Sequence, residues 1–351
     1  MRRIRLSVVM SAAIIGLASA QTLPPLKGQV ERVKVHGAAL EGNLEGDSAD
    51  RDVSIYLPPS YRTSLGRRYP VVYILHGFTD SDNKWFALAS HFVNVPVSME
   101  AALDKGVARE MILVMPNADT RYAGSFYGNS AATGDWETFV TRELTAYIDG
   151  HYRTLPSRAS RGLAGHSMGG YGAIRLAMKY PDVYANVYAM SACCLNPDTP
   201  SAEDVQKAEA VLSADDFNKA DFGTKAVLAL GAAWSANPTV PRFFDLPIKG
   251  GILQPLVVAQ WNANLPVAML GQYASNLKRV RFLALDIGLQ DRLLPGNQLL
   301  DQLLSDHSVP HSFETYEGTH VSKIRERLET KVLPFFTKNL SFEQVPSGRG
   351  Q

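Results

Sequence analysis

Residues 161–182 read RGLAGHSMGGYGAIRLAMKYPD, and this stretch restricts the fold more than any composition could. An apolar run, ASRGLAGHS, meets a helical periodicity through Ala173, Leu176 and Ala177 that Pro181 stops. At the junction Ser167 stands between Gly165 and Gly169, with Gly170 following. A turn tight enough to pass from strand straight into helix crowds the residues beside it, and glycines at those positions relieve the crowding. The segment therefore demands a strand that feeds directly into a helix, the repeating unit of an α/β sheet.

The rest of the chain supplies matching pieces. RDVSIYLPPSY (51–61), YPVVYILHGF (69–78), MILVMPNAD (111–119), YANVYAMSA (184–192), VRFLALDIG (280–288) and HSFETYE (311–317) read as strands bounded by Pro, Gly or Asn. In 136–152, Trp136, Phe139, Val140, Leu144, Tyr147 and Ile148 fall on one helical face, with Asp135 placed as the cap. The expected fold is α/β, a mostly parallel sheet with helices on both faces. Residues from about 196 to 278 break the rhythm and carry Trp234 and Trp261. They read as an insertion over the sheet's C-terminal edge, where open α/β sheets keep their ligands.

A serine hydroxyl needs a base to become a nucleophile. With Ser167 on such a turn, an acid and then a histidine are required further along, after late strands. His320 ends ETYEGTH beyond its strand, whereas His307 and His311 lie before or at the start of that strand. Two aspartates compete for the acid. Asp286 terminates LALD and Asp291 lies in the loop beyond it, where the third member belongs, so Asp291 is the expected partner. The tetrahedral oxyanion needs donors. The N–H of Met168, next to the serine, is one, and the N–H of Phe78, after Gly77 in YILHGF, is the other. RYAGSFYGNSAATGDW (121–136) reads either as a long surface turn or as a pocket wall in which Tyr127, Asn129 and Trp136 meet substrate.

The ends of the chain carry separate signals. MRRIR is basic, LSVVMSAAIIGLA is apolar and ASA ends it with small residues, the pattern of a signal peptide over 1–20 cleaved after Ala20. The apolar run is too short for a spanning helix. Export is expected, to the periplasm or beyond, followed by one catalytic domain over 21–340 and a disordered tail over 341–351. Losing three arginines with the leader takes the formal net charge from +1 to −2, which gives no reason to expect nucleic acid or a stable membrane association. Cys193 and Cys194 are adjacent, and a bridge between neighbours would be strained, so two unbridged, mostly buried thiols are expected, with a strained bridge as the lesser reading. TDSDNKW (79–85) has acidic spacing but lacks the glycine and terminal glutamate of a calcium loop, and reads as a solvated turn. No metal-ligand spacing or phosphate-cradling loop occurs, so neither metal nor cofactor is expected.

VSIYLPPSY, VVYILHGF, WETFVTRELTAYIDGHYRT, RGLAGHSMGGYGAIRLAMKYPD and LALDIGLQD…EGTH resemble, in order, the landmarks of the "putative esterase" family of α/β hydrolases. That family includes feruloyl esterases, S-formylglutathione hydrolases, enterochelin-esterase-like proteins and mycobacterial mycolyltransferases. The resemblance covers roughly residues 28–338 and implies the α/β-hydrolase fold. It also implies Ser167 as nucleophile, Asp291 as acid, His320 as base, and Phe78 and Met168 at the oxyanion hole. Thr319 stands where relatives often place Gly, and VSKIRERL follows His320 where they often place an aromatic. The implied activity is that of an exported serine carboxylesterase, with feruloyl or other polysaccharide-linked esters as first substrate class. The alternatives are acyl transfer to a sugar hydroxyl, or a hydrolase fold that only binds.

Overall fold

The computed structural model describes residues 25–197 and 200–343. Eight strands form its central sheet: β1 (Gln29–His36), β2 (Asp50–Leu57), β3 (Val71–Leu75), β4 (Ile112–Pro116), β5 (Arg161–His166), β6 (Asn186–Met190), β7 (Phe282–Gly288) and β8 (Ser312–Tyr316). Their spatial order is β1-β2-β4-β3-β5-β6-β7-β8. β2 runs antiparallel to β1 and to β4, and every other neighbouring pair is parallel. The sequence reading misses β1, because its apolar residues alternate with charges and only Val35 is buried. It is an edge strand, half of it facing water.

Both faces of the sheet are covered, and period-2 alternation sorts the side chains between them. Val71, Tyr73 and Leu75 of β3 join the cluster that holds Leu163, Val187 and Leu285. Val72 and Ile74 join the opposite cluster, with Leu113, Ala164 and Tyr188. A helix α1 (Val95–Asp104) and the C-terminal helical segment 324–339 contribute Met99, Leu328 and Phe336 to the second cluster. On the first face lies α2, the continuous helical stretch 136–151, capped by Asp135, whose carboxylate accepts from Thr138 N–H at 3.0 Å. Beside it runs α3 (Met168–Lys179), nearly all of which is buried.

Between β6 and β7 come α4 (Ala202–Ala210), α5 (Ala214–Lys219), α6 (Phe222–Trp234), α7 (Pro255–Ala263) and α8 (Pro266–Leu277). The last of these belongs to the layer beside α3 rather than to an insertion. Leu270 and Leu277 are buried in the core, and Asn276 donates its side-chain N–H to the Met178 carbonyl at 2.7 Å. The excursion proper is therefore shorter than 196–278. It is anchored where Ser130 donates to the Ala232 carbonyl and Tyr171 donates to the Asn264 carbonyl.

Two smaller expectations change. TDSDNKW is not a solvated turn: Asp82 is fully buried, accepting two bonds from Arg32 and one from Ser54, and Asp80 accepts from Trp85 Nε1. Burying a carboxylate requires such pairing, and the partners come from β1 and β2, far away in sequence. Cys193 and Cys194 are unbridged, as expected, but only partly rather than mostly buried, with their sulfurs against one another. The expected signal segment, 1–20, lies outside the described residues, as does most of the expected tail, 344–351.

Candidate active site

Ser167 occupies the turn between β5 and α3 with φ 57° and ψ −115°, a backbone conformation that is costly for any residue with a Cβ. The turn can close because its neighbours lack side chains. A Cβ on Gly165 would sit 2.1 Å from the Gly169 carbonyl oxygen, and a Cβ on Gly169 would sit 1.9 Å from that of Leu75. Two bonds hold the turn from outside: Ser167 N–H donates to the Met190 carbonyl, and Cys193 N–H donates to the Ser167 carbonyl.

His320 and Asp291 meet this serine from the loops after β8 and β7. The Ser167 hydroxyl lies 2.9 Å from His320 Nε2, and His320 Nδ1 lies 2.7 Å from Asp291 Oδ2. A carboxylate can only accept, so Nδ1 carries the proton and Nε2 faces the hydroxyl as a base. Asp291 Oδ1 accepts from Leu293 N–H at 3.0 Å. Burial opposes the Asp291 charge, but the bonds from His320 and Leu293 outweigh it and hold the carboxyl below its ordinary value. The other aspartate is occupied elsewhere. Asp286 lies fully buried within β7, bonded by Tyr188 Oη at 2.7 Å and Arg327 Nε at 2.8 Å, with Glu314 holding the far side of that guanidinium.

Opposite the histidine, Gly77 comes so near that a Cβ there would touch Ser167 Cβ at 3.5 Å. Phe78 follows it, and Met168 begins α3, where helix geometry leaves the first N–H groups without an internal acceptor. The strand-to-loop bend that carries Phe78 is fixed by His76, a residue the sequence reading leaves without a role. Its Nδ1–H donates to the Gly77 carbonyl at 2.8 Å, and its Nε2 accepts from Ala118 N–H at 2.8 Å. Both bonds require a neutral ring, and burial holds the pKa of His76 below the ordinary histidine value.

The loop 121–136 is arranged differently from the expected pocket wall. Tyr127 is fully buried and donates its hydroxyl to the His76 carbonyl at 3.0 Å, bracing the bend from beneath. Trp136 lies in the core, edge-on to Phe139 and donating to the Thr133 carbonyl. Asn129 is exposed but pairs with Asp135 in a two-residue ladder. Tyr127 and Trp136 are withdrawn from any such wall, because the loop folds back on the core at Phe126 and Tyr127, both at positive φ. Its approach to Ser167 is made instead by Gly124, which abuts Met168 and Phe78. Across from it the excursion supplies Phe222, half-exposed, whose ring meets that of Phe78 edge-on at 5.5 Å. The Arg292 guanidinium stands 5.8 Å above Phe222. Motif spacing gives no signal for Phe222, since its segment has no fixed distance from Ser167. Among the described residues no group of three or more His, Cys, Asp or Glu side chains could hold a metal ion, and no helix is long and apolar enough to cross a membrane.

A mixed sheet in this strand order, with a serine on a strained strand–helix turn bonded to histidine and aspartate from later loops, defines an α/β hydrolase. The "Putative esterase" family model matches residues 48–326, and the chain belongs to that family. Among curated relatives, an esterase of Mycobacterium tuberculosis is 36% identical over 144 residues, covering 40% of this chain and 28% of that one. An S-formylglutathione hydrolase of Bos taurus is 28% identical over 194 residues, covering 48% of this chain and 62% of that one. The chain thus spans less than two thirds of the length of either relative. Among solved structures, a ferulic acid esterase superposes with a TM-score of 0.63 at 24% identity, over 90% of this chain and 100% of the other.

Proposed function

We propose that the chain is an exported serine carboxylesterase that works through an acyl-enzyme, with polysaccharide-linked esters of aromatic acids as its substrate class. The observation that carries the chemistry is the continuous relay Asp291–His320–Ser167 at 2.7 and 2.9 Å. The Ser167 oxygen attacks the ester carbonyl carbon while its proton passes to His320 Nε2. The oxyanion takes N–H bonds from Met168 and Phe78, each worth roughly 10²- to 10³-fold in rate. Collapse breaks the ester C–O bond, and His320 returns the proton to the departing alcohol oxygen. Water then gives a proton to His320 as it attacks the acyl carbon, and the bond from that carbon to the Ser167 oxygen breaks as His320 returns the proton to the serine. One ester and one water yield one acid and one alcohol. Asp291, holding its negative charge, stabilises the imidazolium in both halves.

For an aromatic acyl group, support comes from the half-exposed Phe222 leaning over Phe78 and from the ferulic acid esterase among the structural neighbours. For export, support comes from the basic, apolar and small-residue pattern of residues 1–20. The test is a panel of p-nitrophenyl acetate, p-nitrophenyl decanoate, methyl ferulate and a glutathione thioester, each run beside Ser167→Ala. Turnover of methyl ferulate that vanishes in the variant is expected. Equal rates in both proteins, or no turnover of any ester, would overturn the esterase reading. N-terminal sequencing of protein recovered outside the cytoplasm should begin at Gln21, and retention of the whole population in the cytoplasm with Met1 intact would sink the export reading.

A further inference from the structure

Against the Ser167 turn, on the chain that leaves β6, stand the only two cysteines of the sequence, Cys193 and Cys194. Cys193 N–H donates to the Ser167 carbonyl at 3.1 Å, one of the two bonds that hold the strained backbone of the nucleophile from outside. The Cys194 thiol in turn donates to Cys193 Sγ, with the sulfurs 2.7 Å apart. That is less than an ångström beyond a disulfide bond of about 2.05 Å. Both cysteines are partly exposed, whereas Ala192 and Leu195 on either side are buried. The pair is open to a reagent where its neighbours are not.

The flanking chain is pinned. Ser191 N–H donates to the Asp286 carbonyl at 2.7 Å, and Asn297 donates its side-chain N–H to the Ala192 carbonyl at 2.9 Å. On the other side Val267 N–H donates to the Leu195 carbonyl at 3.1 Å. Across a trans peptide, neighbouring Cα atoms lie about 3.8 Å apart, short of the roughly 4.4–6.8 Å of ordinary disulfides. Joining these sulfurs must therefore distort the backbone of Cys193 and Cys194, and Cys194 already stands at φ 58°. With both flanks held, the connection that gives way is the bond from Cys193 N–H to Ser167. A bridge between neighbours closes almost no loop, so it adds little stability of its own. Strained disulfides are also the easily reduced ones, which suits a reversible modification rather than a structural staple.

We propose that Cys193 and Cys194 are a redox modification site, in which exchange with a small disulfide closes a vicinal bridge that loosens the Ser167 turn and slows its attack. One cysteine thiolate attacks a sulfur of the disulfide RSSR, forming a mixed disulfide and releasing RS⁻. The other thiolate then attacks the protein sulfur of that mixed disulfide, the Cys193–Cys194 bond forms, and the second RS⁻ leaves. The two cysteines lose two electrons, RSSR gains them, and the two thiol protons end on the two RS⁻. The export reading supplies a compartment where such disulfides persist, and the effect on turnover rests on the esterase reading. The pairing rests on neither.

Glutathione disulfide is the probe. Wild-type protein treated with it should become lighter by two hydrogen atoms, and dithiothreitol should restore the mass. In the paired form, the Cys193 amide should exchange with deuterium about tenfold faster or more, because its acceptor has been withdrawn. Fluorophosphonate labelling of Ser167 and kcat for p-nitrophenyl acetate should each fall about tenfold, the cost of a slightly misplaced reacting group. Cys194→Ser, which cannot pair, should keep the kcat of the reduced wild type before the probe is added and lose no hydrogens after it. A stable glutathione adduct in place of the lost hydrogens, or no change of mass, would overturn the site. Pairing that leaves both the Cys193 amide and Ser167 labelling unmoved would overturn the switch. If neither redox form is labelled or turns over an ester, yet pairing still frees the Cys193 amide, the esterase reading falls and the modification site stands.

Discussion

His166 and His320 are tied side by side: the Nε2–H of His166 donates to the His320 carbonyl at 2.8 Å, and the two rings lie 4.7 Å apart. The residue before Ser167 thus holds the backbone of the histidine that bonds Ser167. A carbonyl can only accept, so the bond requires a proton on Nε2. Burial, with the His320 imidazole adding to it, drives the pKa of His166 down to about 3.

That depression has a signed consequence for stability. Between pH 6.5 and about 3 the unfolded chain takes up a proton at His166 that the folded chain refuses. Stability therefore falls as pH drops through that window, by up to about 1.4 kcal/mol per pH unit for one such group. His166→Gln, which cannot take up that proton, should flatten the acid side of a denaturation-midpoint profile. Its side-chain N–H can still reach the His320 carbonyl, so kcat should stay within about tenfold, whereas His166→Ala should lose more. An acid limb equally steep in His166→Gln would show that the burial of this ring is not what limits acid stability.

Asp291 and Asp286 should separate cleanly in kinetics. Asp291→Asn leaves His320 without its orienting acceptor and should cost on the order of 10⁴-fold in kcat with little change in melting temperature. Removing the partner of Asp286, as in Arg327→Met, strands a buried carboxylate and should cost about 3–5 kcal/mol of stability. Chemical denaturation and p-nitrophenyl ester kinetics on both variants check this. Loss of kcat in folded Arg327→Met as large as in Asp291→Asn would make Asp286 the acid.

Gly169 tolerates no side chain. Its Cβ would fall 1.9 Å from the Leu75 carbonyl oxygen, which is backbone and cannot step aside. Gly169→Ala should therefore unfold or displace the strand–helix turn, with a loss above the ~1–3 kcal/mol of ordinary overpacking. Gly150→Ala, at an open position on α2, should gain rather than lose stability, by about 0.5–1 kcal/mol. Thermal melts of the two give the comparison.

Phe222 should govern the acyl group. Phe222→Ala removes a ring that meets Phe78 and lies under Arg292, and should lower kcat/KM for methyl ferulate about tenfold relative to p-nitrophenyl acetate. Equal losses on both esters would mean that Phe222 supports the fold of the excursion rather than the acyl group.

Most of the strands, the strand–turn–helix at Ser167 and the serine–acid–histidine order along the chain were legible in the sequence, because each rests on local rules. Alternation marks strands, 3.6-residue spacing marks α2 and α3, and steric crowding leaves glycine at 165 and 169. The same local rules mislead where a residue's partners lie far off. Tyr127 and Trp136 read as ligand-facing in a polar loop, yet their hydroxyl and ring are committed to His76 and Phe139. Loop position already favoured Asp291 over Asp286 in the sequence, but only the tertiary structure shows that Arg327 occupies the one carboxylate and His320 meets the other. It alone gave His166, His76 and Phe222 their places. The chain carries its backbone geometry in short patterns, but burial and hydrogen-bond partnership depend on what the sheet brings together across many tens of residues.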